Sequence, residues 1–274
     1  GTKCLSKRAA RPIGRESLKV PLTILLAAFG TTIPQARESY TLLEAGVRQR
    51  FPDAHVRWAF TSSIVRGRLA EEGEIIDSPQ EALRRFQDEG IPSIVVQSIH
   101  VTPGQEFSRL ACIDSGPLKL HFGRPLLDQP EDYHRLLDAL ADQVRPDRAT
   151  IFVGHGNDND IAFNHANHRM DELVRQRFPG AILASLEGSP GPAALAEFLP
   201  HAQALGRVHF VPLLFVAGDH VVNDLLGDEP TSWKNQMGVT NVTCGPPLGS
   251  IPAVREIYLD HLRDAAAKCK MDLE

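Results

Sequence analysis

The chain is short of several things, and each shortage closes a route. Its 274 residues hold four cysteines, Cys4, Cys112, Cys244 and Cys269, widely spaced and never as C-x-x-C. That spacing argues against a zinc knuckle or a disulfide framework and leaves reduced thiols, as in a cytoplasm. No apolar run approaches the roughly 20 residues needed to span a bilayer. Basic residues do not outnumber acidic ones, and the net charge of -5 argues against nucleic acid as a partner. The loop Gly30-Thr31-Thr32 lacks the lysine of a phosphate-cradling G-x-x-x-x-G-K-[ST] motif, and there is no G-x-G-x-x-G there, so a nucleotide site is disfavoured. Ser62 and Ser63 lack the G-x-S-x-G setting of a serine hydrolase. What is present is the composition of a soluble globular protein, 42% hydrophobic and 23% charged, with a generous 11 histidines that raise the question of a metal.

Residues 1–19 carry Lys3, Lys7, Arg8, Arg11, Arg15 and Lys19 among few apolar groups and read as a flexible basic leader. It has no apolar h-region, so it is not an intact signal peptide. The reading is a cytoplasmic protein; the periplasm is the alternative if this leader follows a removed signal peptide. From residue 20 onward, strands and helices alternate. Apolar runs at 20–29, 55–60 and 93–99 predict strands, 118–122 a fourth, with helices over 34–50, 64–72, 78–87 and 130–144. Ser78 followed by Pro79 is an N-cap and a first-turn proline. Then the order begins again: strands at 150–153, 181–186, 208–216 and 241–244, with helices over 161–178, 192–205 and 252–268. Two halves sharing one element order suggest duplication, each half an α/β layer with a parallel sheet covered on both faces and a cleft between them.

The loops of the second half carry the chemistry. The run T-I-F-V-G-H-G-N-D (150–158) is a short apolar strand closed by glycine, which places His155 at the carboxyl end of a strand between two residues without side chains. Glu187 follows the next predicted strand, and His220 follows the one after. Loops after parallel strands gather at one end of the sheet, where open α/β sheets bind ligands. Two imidazoles and a carboxylate with open positions suit a divalent first-row metal. His165 and His168, three apart on a predicted helix, read as a solvated face.

Several stretches resemble the class II sirohydrochlorin cobaltochelatases of the anaerobic cobalamin pathway, the CbiK type: A-F-G-T-T (28–32), W-A-F-T-S-S-I-V-R (58–66), Q-S-I-H-V-T-P-G-Q-E-F (97–107), G-H-G (154–156), L-E-G-S-P (186–190), V-P-L-L-F-V-A-G-D-H-V-V-N-D (211–224) and S-W-K (232–234). The A-G-D-H-x-x-N-D run with its following S-W-K is specific; G-H-G alone is weak. The resemblance implies the chelatase fold, two similar α/β halves around a cleft. It implies an N-terminal domain over 20–145, joined by the last helix at 252–268, and a C-terminal domain over 146–251 that carries the metal site. It implies His155, Glu187 and His220 as metal ligands, Co(II) as substrate metal, and insertion into the tetrapyrrole sirohydrochlorin. Ser189-Pro190 departs from the tyrosine-proline common in the family.

Insertion releases two ring protons, so a base must stand where the ion arrives; His155 is the first choice and Glu187 the second. Arg66, Arg68 and Lys234 flank the family motifs and are candidates to hold the ring's carboxylates. Cobalt, iron and nickel all tolerate such a ligand set. Two other readings compete. One is a haem- or metal-binding carrier on the same scaffold, with His100 as the haem residue, since exported relatives are associated with haem. The other is a zinc hydrolase using the same residues, although H-E-x-x-H is missing. A homo-oligomer is compatible with all of these.

Overall fold

The computed structural model describes residues 21–273, so the basic leader at 1–19 lies outside the described residues. The first half contains β1 (Thr23–Ala28), α1 (Glu38–Arg50), β2 (His55–Phe60), α2 (Ser63–Glu71), α3 (Pro79–Asp88), β3 (Ser93–Ser98), α4 (Gln105–Ala111), β4 (Lys119–Gly123) and α5 (Pro130–Leu140). The second contains β5 (Ala149–Gly154), α6 (His165–Arg177), β6 (Ala181–Ser185), α7 (Pro192–Leu205), β7 (Arg207–Pro212), a π-helical turn at His220–Leu225, α8 (Trp233–Gln236) and β8 (Asn241–Cys244). The chain closes with α9 (Pro252–Leu273).

Each half builds one four-stranded sheet, ordered β2-β1-β3-β4 and β6-β5-β7-β8, and every pairing is parallel. The two orders are the same order, which is the duplication read from the sequence. β1, β3, β5 and β6 are buried at every position. Parallel strands covered by helices on both faces read as continuous apolar runs for this reason. In each sheet the first strand sits between the second and the third, so the loops leaving it open into the crevice where the winding reverses.

The last helix belongs physically to the first sheet, packing against β3 and β4 and touching α1 and α5. Its buried residues Val254, Tyr258, Leu262, Ala265 and Cys269 recur every three or four positions, one face of a helix. A buried pair pins it in place: His261 Nε2 lies 3.1 Å from Asp132 Oδ1, while His261 Nδ1 donates to the carbonyl of Arg124 at 3.2 Å. Tyr258 reaches further and donates its hydroxyl proton to the carbonyl of His100 at 3.1 Å, tying the helix to a loop that lines the cleft.

Three local features differ from the reading of the sequence. The strand expected over 208–216 leaves its sheet at Pro212, and beyond Leu213 the chain turns to pair Leu214 and Phe215 with Leu248 and Gly249. The segment after Gly104, to which the sequence reading gives no element, forms α4. His220 opens a π-helical turn, not an irregular loop.

Candidate metal site

Between the halves lies a cavity of about 570 Å³. Its walls come from both sides: Phe29, Thr31, Ile64 and Arg68 from the first half, His155, Glu187 and His220 from the second. The loops that close on it nearly touch, since a Cβ built on Gly218 would stand 3.6 Å from Thr31 Oγ1.

His155 and His220 meet. Their Nε2 atoms are 3.1 Å apart and their rings stand edge-on, 4.7 Å between centroids. The partners of the other ring nitrogens decide what this means. His155 Nδ1 lies 3.0 Å from the carbonyl oxygen of Gly156, which can only accept, so Nδ1 carries the proton and Nε2 presents a lone pair. His220 Nδ1 lies 2.6 Å from Asp224 Oδ2, an arrangement that likewise holds the proton on Nδ1. Two lone pairs therefore face one another at 3.1 Å. That is stable only with a cation between them, a shared proton or a metal ion. Bonds of ~2.0–2.1 Å from each nitrogen would subtend an angle of roughly 95–102° at the ion, within the range of a divalent centre.

Local sequence explains how the pair is held. His220 and Asp224 lie on the π-helical turn, with Asp219 and Asn223 paired beside them through Nδ2 to Oδ1 at 2.7 Å. π-Turns of this kind often mark functional sites. Beneath His155, Asn164 and Asn167 are buried: Asn157 N–H donates to Asn164 Oδ1 at 2.8 Å, and Asn167 Nδ2 donates to Ser185 Oγ at 3.0 Å. Gly156 has φ +80°, and a Cβ there would fall 1.7 Å from the carbonyl oxygen of Glu187, so no other residue fits.

Glu187 is stapled to the same loop, its N–H donating to the carbonyl of His155 at 2.8 Å. Glu187 lines the cavity but does not complete a shell: among the described residues no three His, Cys, Asp or Glu side chains are grouped as a ready metal site. The structure thus brings two of the three sequence candidates into contact and the third into the same cavity. Sequence reasoning does not single out Asp224, although it ends the motif 211–224. Glu106 also lines the cavity, paired with Arg109 at 2.8 Å.

His100 lines the cavity from the first half. Its Nδ1 lies 2.9 Å from Ser98 Oγ, and its Nε2 is buried without a partner among the described residues. Burial pushes its pKa down to about 4, against the pull of the Glu106 charge, so the ring is neutral at pH 7. His165 and His168 are exposed on α6 and do not face the cavity.

A cavity between two parallel α/β layers, with paired imidazoles at strand ends, is the architecture of a chelatase. The model of the cobalt chelatase (CbiK) family matches residues 22–267, and the chain belongs to that family. It is 34% identical over 266 residues to sirohydrochlorin cobaltochelatase CbiKC of Nitratidesulfovibrio vulgaris, covering 90% of this chain and 93% of that one. It is 31% identical over 256 residues to the sirohydrochlorin cobaltochelatase of Salmonella typhimurium, covering 88% and 95%. Among solved structures, SirB from Bacillus subtilis with Fe3+ superposes with a TM-score of 0.58 at 15% identity, covering 90% of this chain and 96% of that one. DR2241 of Deinococcus radiodurans, a multi-domain protein with structural similarity to chelatases, gives 0.57 at 17% identity, covering 90% and 56%. These two likenesses carry the fold.

Proposed function

We propose that this protein inserts Co(II) into sirohydrochlorin, with His155, His220 and Glu187 as the metal site. The observation that carries the proposal is the pair of inward-facing imidazole lone pairs inside the cavity between the halves. The names of the two curated relatives support the substrate. No comparison favours a resident haem on His100, a carrier role or zinc hydrolysis, so the metal reading narrows to cobalt as substrate.

The chemistry follows from the donors. Co(II) arrives hydrated and exchanges water for the Nε2 lone pairs of His155 and His220. Glu187 joins by side-chain rotation, since its backbone is already fixed to the His155 loop. Its charge offsets part of the ion's own. The macrocycle then presents four nitrogens, two of them bearing protons. As the ion passes to the ring, two N–H bonds break and the metal–nitrogen bonds of the product form. One released proton goes to His155 Nε2, whose lone pair has just been vacated, and the other to Glu187. Because His155 Nδ1 is already occupied with the carbonyl of Gly156, the same lone pair serves first as ligand and then as base. Both roles need that lone pair free, so a proton on Nε2 blocks ligation and base alike.

The test is the absorbance spectrum of metal-free sirohydrochlorin mixed with the protein and Co(II), Fe(II) or Ni(II) in turn. Acceleration of the metallated spectrum with Co(II) over the protein-free rate is expected. An unaccelerated rate with all three ions contradicts the proposal.

A further inference from the structure

Resting on the reaction just proposed, we infer that Arg68 is the carboxylate-binding residue of the first half, the group that orients the tetrapyrrole in the cleft. The sequence offers three cations near the family motifs, and the structure separates them. Arg66 is spent on the fold: its Nη1 donates to the carbonyls of Phe60 and Thr61 at 2.5 and 3.1 Å. Lys234 is paired with Asp228 at 3.0 Å and does not line the cavity. Arg68 lines the cavity, is exposed, and has no side-chain partner among the described residues.

The charge of the cavity makes this residue matter. Its described lining contains three carboxylates, Glu106, Glu187 and Asp219, and only one arginine or lysine, Arg68. A net-negative wall attracts Co(II) and repels a polycarboxylate ring. The ring therefore needs a fixed cation, and the one available stands on α2, in the half opposite His155 and His220.

The surroundings fit an amphipathic disc. Ile64 and Arg68 are four apart on α2 and share one helix face. Ile64 is 68% exposed and Phe29, in the adjoining loop, 47%. Exposed apolar side chains inside a cleft are an apolar floor without a cover. A tetrapyrrole has an apolar face and carboxylates at its rim, so the face would rest on Phe29 and Ile64 while one rim carboxylate meets Arg68. A guanidinium grips a carboxylate in a planar fork, which fixes direction as well as position. α2 is itself firmly started, with Ser62 Oγ accepting from Val65 N–H at 3.3 Å.

The experiment is a titration of metal-free sirohydrochlorin into the cobalt-free protein, read by absorbance, beside insertion kinetics. Arg68→Ala is expected to weaken ring binding by about tenfold, the low end for a charge-assisted hydrogen bond at an exposed site. The KM for the ring should rise in parallel and the dependence on cobalt should not move. Arg68→Lys should recover part of the loss, and added salt should weaken the wild type more than Arg68→Ala. Arg145→Ala, which removes the same charge outside this cavity, should bind as wild type. The inference is overturned if Arg68→Ala binds the ring as wild type does, or if Arg145→Ala loses as much. A wild-type protein that neither binds nor metallates sirohydrochlorin overturns the reaction itself, and this assignment with it.

Discussion

After β1 the chain reads Gly30-Thr31-Thr32; after β5, at the same place in the other sheet, it reads Gly154-His155-Gly156. After β3 comes a half-buried neutral imidazole, His100, with a short helix beyond it; after β7 comes a π-helical turn that turns His220 toward His155. The scaffolds agree strand for strand and the loops do not. A duplicated sheet supplies two sets of strand ends facing one cleft, and each set can be equipped separately. In the proposed division of labour the second half carries the ion and the first half carries the ring, with Arg68 on an apolar floor. Holding the two substrates on opposite walls brings them together without either wall having to suit both charges.

The largest test of that division is His155→Ala. Removing the proposed ligand and the proposed base together should lower insertion by at least ~10²-fold. The melting temperature of the metal-free protein should hardly change, because the imidazole lies in a glycine-flanked loop outside the apolar cores. Insertion at the parent rate would move the metal site elsewhere.

Next come the groups that act through or beside the imidazoles. Asp224→Asn should free the His220 ring from its fixed tautomer and weaken Co(II) binding by roughly tenfold, the low end for an outer-shell partner. Calorimetry with Co(II) reads this, and ring binding should stay as in the wild type. Glu187→Gln keeps the shape and removes the charge, so it should weaken cobalt binding and slow insertion without unfolding. Unchanged cobalt affinity in Glu187→Gln would leave the two histidines as the whole site.

The smallest effect contrasts the two halves in acid. The first half holds a half-buried neutral imidazole, His100, and the second a buried one, His209. Burial holds both down to about 4, with the charges of Arg148 and Arg145 adding to the effect at His209. In the unfolded chain both titrate near 6.5. Between those values the unfolded state binds more protons, so their contribution to stability is complete above pH 6.5 and is lost as pH falls towards 4. Melting temperatures across that window should fall less steeply in His209→Asn than in the wild type. Equal slopes would mean that this imidazole is not held neutral.

Much of the fold and part of the site are legible in the sequence because they are local. Apolar runs closed by glycine mark β1 and β5, and the repeat of element order announces two sheets. His155 and His220 stand out because each follows a strand at the same topological position. What escapes depends on contacts across the chain or on unusual local geometry. α4 is seven residues long with one buried side chain, Leu110, so it leaves no periodic pattern. The π-turn pairs His220 with Asp224, a spacing that an ordinary helix also provides, so the motif is visible without its use being seen. Glu187 follows its strand as the histidines follow theirs, yet side-chain torsions rather than strand order decide how near its carboxylate comes. Arg66 and Arg68 are two residues apart and indistinguishable in composition; only the fold shows that one is bound to carbonyls while the other faces the cavity.

The division between halves is tested most directly by initial insertion rates with cobalt and sirohydrochlorin varied independently in His220→Ala and Arg68→Ala. A crossed result is expected. His220→Ala should raise the KM for cobalt, be partly rescued by high cobalt and leave the KM for the ring in place, while Arg68→Ala does the reverse. If His220→Ala changes only the KM for the ring, or Arg68→Ala only the KM for cobalt, the assignment of ion and ring to opposite walls is wrong.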